Sequence, residues 1–165
     1  MTLSVTVHVK YKDIEETFTG DVDDVWAGIN QFFGKMIPLF EATREVVLTV
    51  DLVKVVEAAK GLVAVAEDGP AVLVPKEKLT DNEGLLLMLL AAYIGGRLGV
   101  LDKPWLSKEE MRIWLGKSGK ITGTRLGELC RKGLVVRVED VGFRLSTLGV
   151  KQLIDEVLPQ IRGKA

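Results

Sequence analysis

Cysteine and histidine occur once each in the 165 residues, asparagine twice and glutamine three times. The lone Cys130 excludes an intramolecular disulfide, which fits a reducing compartment and sets the cytoplasm as the expected location. With one histidine and one cysteine far apart in the chain, a metal cluster of the usual spacing is excluded and no metal is expected. The scarcity of Asn, Gln and Cys is compatible with a thermophilic composition. Long apolar runs are missing too. The most apolar stretch, "GLLLMLLAAYIGG" at residues 84–96, lies between Glu83 and Arg97. It falls short of the roughly 20 residues that span a bilayer, so it predicts a buried core helix and no membrane association. The opening "MTLSVTVHVK" lacks the basic start and apolar centre of a signal peptide.

The parts of an enzyme are equally sparse. "GKSGK" at 116–120 invites a phosphate-loop reading, but that motif needs a glycine five positions before its Gly-Lys-Ser, where Met111 stands. Cys130 falls on an apolar stripe, where a thiol is inert, and His8 falls on the polar face of a predicted strand. No nucleophile has an evident base. The expectation is a protein that binds rather than catalyses, without a cofactor.

Hydrophobic residues make up 47% of the chain, enough for a packed core. The net charge of −1 conceals an asymmetry. Residues 1–78 carry 8 Lys/Arg against 13 Asp/Glu, a balance of −5, and residues 79–165 carry 14 against 10, a balance of +4. A polyanion is therefore expected to meet the second half, although +4 is also an ordinary surface charge.

In the first half, "LSVTVHVKY" alternates and reads as a half-buried strand, paired through "KYKD" with "IEETFT". Asp21 caps a helix in which Val22, Val25, Trp26, Ile29, Phe32, Phe33 and Met36 recur at helical spacing, and Pro38 stops it. "LFEATREVVLTV" is ambiguous between helix and strand. Asp51 to Lys60 reads as a helix closed by Gly61, followed by a hairpin, "LVAVA" and "AVLVP" around "EDGP". With Pro75 and "KEK" as the boundary, residues 1–78 form a small α+β domain of two hairpins plus helices. Residues 79–165 open with two capping boxes, Thr80 with Glu83 and Ser107 with Glu110, each before an apolar helix. "VLDKPW" between them reads as a loop. A third helix ends at Gly133, "LVVRV" and "FRLS" make a hairpin around "EDVG", and "TLGVKQLIDEVLPQI" is a last helix.

The ordered run "TRLGELCRKGLVVRVEDVGFRLSTLG" resembles the winged helix-turn-helix domains of MarR- and ArsR-like regulators. Leu126, Leu129, Gly133, Leu134 and Val135, Glu139 and Asp140, Arg144 to Ser146 and Gly149 carry that resemblance. It implies an α+β fold with a C-terminal winged helix, duplex DNA as partner, a homodimer and a role in transcription regulation. By the resemblance the third helix reads the major groove. Lys117 and Lys120 would neutralise phosphates, and Ser118, Thr122 and Thr124 would donate hydrogen bonds. Arg125 would grip guanine, and Arg137 and Arg144 would reach the backbone or minor groove. In that reading residues 1–78 would dimerise, sense a ligand or recruit a protein partner. The alternative is a winged helix used for protein–protein interaction in a larger assembly. The acidic tip "VEDVG", which phosphate repels, favours that alternative, and Arg137 and Arg144 would then pair with Glu139 and Asp140. Gly123 and Gly127 share one face and fit either close approach to a phosphate backbone or tight internal packing. The small residues Ala91, Ala92, Gly95, Gly96 and Gly99 fit either contact with the third helix or a dimer seam. The last helix, with Leu148, Leu153, Ile154, Val157, Leu158 and Ile161, is the second seam candidate.

Overall fold

A computed structural model describes residues 4–11, 14–36 and 50–164. The protein is a mixed α+β chain in two compact units, Met1–Leu48 and Thr49–Ala165. The ambiguous stretch "LFEATREVVLT" and the stop at Pro38 lie outside the described residues.

In the first unit β1 (Val5–Tyr11) and β2 (Ile14–Gly20) pair antiparallel from Val5↔Gly20 to Tyr11↔Ile14. Val5, Val7 and Val9 are half-buried, while Thr6, His8 and Lys10 are exposed, as the alternation requires. His8 Nδ1 is 2.9 Å from the Thr17 hydroxyl, an ordinary cross-strand pair. The helix α1 (Val22–Met36) is capped by Asp21, whose carboxylate accepts from the Asp24 amide at 2.8 Å. Its inner face is Val25 and Phe32, and Phe32 meets Phe18 edge-on at 6.1 Å. Gly28 is small because the Phe18 ring lies where its side chain would be. Val22 and Trp26, one turn apart, stay 61% and 66% exposed.

The second unit is built around one helix. α2 (Leu52–Ala59), capped by Asp51, leads through Gly61 at φ 78° into the hairpin β3 (Val63–Ala66) and β4 (Gly69–Val72). A short 3-10 turn, Lys76–Lys78, precedes α3 (Asp81–Leu98), which carries the expected capping box and ends on Gly99 at φ 71°. From Gly84 to Ala92 every residue of α3 is buried, because other elements cover it all round. α4 (Lys108–Leu115) has the second capping box and ends on Gly116. α5 (Gly119–Arg131) follows after Ser118. β5 (Val135–Val138) and β6 (Gly142–Leu145) pair antiparallel, and α6 (Thr147–Gln152), a π turn Leu153–Val157 and α7 (Leu158–Lys164) complete the chain. The π turn has a cause. Pro159 lacks an amide proton and its ring crowds the carbonyl four residues back. The Leu158 amide bonds Leu153 instead, widening the helix ahead of the ring.

The boundary expected near residue 78 falls inside this unit. Val55, Ala59, Leu62, Val63 and Val74 share one core with Leu85 to Ala92, Leu126, Leu129, Leu153 and Ile161. Arg162 donates to the Ala58 and Lys60 carbonyls at 2.7 and 2.8 Å, satisfying the end of α2 from the other end of the unit. Residues 50–78 thus belong with the C-terminal half, and the smaller unit is one hairpin and one described helix.

The "VLDKPW" stretch is a loop, as expected. It leads into a bridge that was not expected, in which Leu106 exchanges both backbone hydrogen bonds with Phe143, at 3.0 and 2.8 Å. Gly142 is required there, since a side chain would meet the Leu106 carbonyl and the Trp105 ring. The small residues of α3 are used within the chain. Ala91 and Ala92 are fully buried, Gly95 is covered by Leu101 and Val65, and Gly96 by Pro104. Neither the third helix nor a second copy is what Gly95 and Gly96 accommodate. The last helical run likewise spends Leu153, Leu158 and Ile161 on its own core and leaves Leu148 half exposed.

Candidate nucleic-acid interface

Helix α5 starts where Ser118 accepts from the Ile121 amide at 3.3 Å and stops at Gly133, φ 74°. Leu126 and Leu129 anchor it, each about 1% exposed. Opposite them the helix turns Lys120, Thr124, Gly127 and Arg131 outward, at spacings of four, three and four. Lys120, Thr124 and Arg131 are exposed, and no atom lies within 4 Å of where a Gly127 side chain would begin. Two cations therefore bracket a low-relief strip. Neither has an ion-pair partner among the described residues.

Thr122 is a correction. It is fully buried and its hydroxyl donates to the Ser118 carbonyl at 3.0 Å, so it serves the helix and cannot meet a ligand. Thr124 is exposed, with its hydroxyl turned to the Lys120 carbonyl at 2.9 Å. Ser118 is exposed and spent on its cap.

Arg125 is held from two sides. Both Glu128 oxygens lie 3.2 Å from its Nη1, and Asp81 lies 3.6 Å from Nε. The Glu128 and Asp81 carboxylates push its pKa up further, while Asn82 and Arg125 hold the Glu128 carboxyl below the usual range. Asp81 also lies 3.7 Å from Lys117. Two of the three cations expected in and just before α5, Lys117 and Arg125, thus tie this region to the start of α3.

In the hairpin, the Arg137 guanidinium sits 5.4 Å from the Phe143 ring and Arg144 donates to the Leu145 carbonyl. Neither forms an ion pair with Glu139 or Asp140 among the described residues. The tip is exposed and acidic, with Glu139 at φ 46°. Sequence reasoning missed Lys108, whose ammonium lies over Gly123 and which lines one cavity with Arg137. Helical period puts Arg131 with Lys120 and Thr124 off the core face, but it was not among the expected contacts; its position eleven residues beyond Lys120, three helical turns, was the available signal.

The chain matches no family model, no curated protein and no solved structure. Among the described residues no group of three or more potential ligands can hold a metal, and no helix is long and apolar enough to cross a membrane. Cys130 is half-buried; burial pushes its thiol pKa up, against the pull of Arg137.

Proposed function

We propose that residues 81–164 are a winged helix that binds duplex DNA, with α5 as the reading helix and β5–β6 as the wing. The observation that carries the reading is the outward strip Lys120, Thr124, Gly127 and Arg131, narrow enough to enter a groove and positive at both ends. The element order supports it, with the Leu106 bridge adding a third strand segment to the hairpin. Binding rather than catalysis follows, in an intracellular transcription regulator acting as a homodimer. The exposed Val22 and Trp26 of α1 are the contact proposed for the second copy. Lys117 and Arg125 act here as positioning residues, because their charges are already matched by Asp81 and Glu128.

A second reading, a protein-interaction module, is favoured by specific surface features. Glu139 and Asp140 occupy the wing tip, and Ile113, Ile121 and Val141 are 65%, 42% and 48% exposed. Binding to a random-sequence duplex, measured by anisotropy from about 50 to 200 mM salt, separates the two. The DNA reading expects a steep salt dependence whose slope falls by about 0.9 for each of Lys120→Ala and Arg131→Ala. Arg125→Ala should lower the melting temperature more than it changes that slope. Absence of binding at the lowest salt selects the protein-interaction module.

A further inference from the structure

The turn between β3 and β4 and the loop at residues 100–106 line an open cavity of about 260 Å³, remote in sequence from α5. Its walls combine two kinds of surface. Trp105, Leu101 and Pro70 provide apolar area, and Glu67, Asp68, Asp102 and Glu110 provide carboxylates. Among the described residues the one cation lining it is Lys103. Its ammonium stands 4.3 Å from the Trp105 ring centroid and 3.2 Å from both Glu110 oxygens. Glu67, Asp68 and Asp102 have no ion-pair partner among the described residues. Four carboxylates against one ammonium leave the walls at −3 near neutral pH.

That arrangement selects a ligand class. An anion is repelled. A metal ion is disfavoured because the carboxylates do not converge into a ligand set. An organic cation gains from both surfaces, since an ammonium on an indole face is stabilised by the ring quadrupole and its carbon chain by apolar contact. Lys103 already demonstrates the contact from within the chain. Its side chain is 39% exposed, so it can leave the ring for water at little cost.

We propose that this cavity binds a small organic amine, whose ammonium takes the place of the Lys103 ammonium on the Trp105 ring. The cavity is near the small end of ligand sites, which suits a molecule of a few carbons. Trp105 also packs at Gly142, and its neighbour Leu106 bridges Phe143, so occupancy is felt in the β5–β6 hairpin. The inference stands without the DNA reading, because it concerns binding alone.

The test is a titration of the full-length protein with putrescine and, separately, tetramethylammonium, followed by nitrogen-15 spectra of the three tryptophan indoles. Sodium chloride at matched ionic strength is the control, and Trp105→Phe assigns the resonance. The expected result is a saturable shift of the Trp105 indole and the Gly142 amide with at least one amine, while Trp26 and Trp114 stay in place. Lys103→Ala removes the internal competitor and should tighten binding by about three-fold or more. Glu67→Gln with Asp68→Asn should weaken it by a similar factor. Shifts no larger than those of sodium chloride overturn the proposal, as does an affinity that Lys103→Ala leaves unchanged or weakens.

Discussion

Glycine positions in the second unit divide by what surrounds them. Gly84 lies under the Trp114 ring, Gly142 against the Leu106 carbonyl and Gly149 against the Leu134 carbonyl, so each is small because a neighbour occupies its side-chain space. Gly127 has nothing within 4 Å and sits inside a helix, where glycine costs about 1 kcal/mol relative to alanine. No packing offsets that cost, which leaves the outer surface of α5 as the place where smallness is useful. Gly123 is intermediate, covered only by the flexible end of Lys108. Gly127→Ala is expected to stabilise the protein by about 0.5–1 kcal/mol in urea unfolding and to weaken duplex binding several-fold in the same preparation. A gain of stability with unchanged DNA affinity would remove Gly127 from the interface. The contrast with Thr122 belongs at this scale as well. Its spacing of four and seven from Leu126 and Leu129 places Thr122 on the core face of α5, but its polar side chain gave the expectation of a donor to DNA.

Among the elements, helix starts were the most legible parts of the chain. Thr80 with Glu83 and Ser107 with Glu110 form both halves of their capping boxes, because four unpaired amides at a helix start need local acceptors and the spacing supplies them. Elements held by distant partners were not legible: the bridge at Leu106 is too short for any period. The π turn has a local cause in Pro159, but helical period does not separate it from the helix on either side. Glu83 gives this level its pH dependence. Burial raises its carboxyl pKa, but the Lys164 ammonium and the Thr80 amide and hydroxyl outweigh burial and hold it below the ordinary range. Glu110 is lowered in the same way by Ser107 and Lys103. A depressed folded-state pKa means stability that is present above the unfolded value, about 4.3, and is lost as pH falls through the folded value. Glu83→Gln keeps a capping amide but loses the Lys164 pair. The variant should be less stable than wild type by about 1 kcal/mol at pH 7, and the two melting temperatures should converge as pH falls below the unfolded value and through the lowered folded one. A constant difference across that range would mean that Glu83 acts through packing rather than charge.

For the whole molecule, the charge asymmetry was visible in the sequence but its boundary was not. Pro75 and "KEK" look like a linker, yet Arg162 reaching Ala58 and the shared core around Val55 join the two sides of that stretch. Such contacts span about a hundred residues and leave no local trace. Divided at the observed boundary, residues 1–48 carry 4 Lys/Arg against 8 Asp/Glu, a balance of −4, and residues 49–165 carry 18 against 15, a balance of +3. Since residues 49–165 have their own core, a chain of those residues alone is expected to unfold in one cooperative thermal transition. Removing the acidic unit takes the net charge from −1 to +3, which favours a polyanion at long range. Non-specific duplex binding at low salt should therefore be several-fold tighter than that of the full chain. The salt slope should stay within about one unit, because the slope counts phosphates contacted and α5 and the hairpin are retained. A fragment that folds but has lost most of its salt slope would place the phosphate contacts in residues 1–48 and would count directly against α5 as the reading helix.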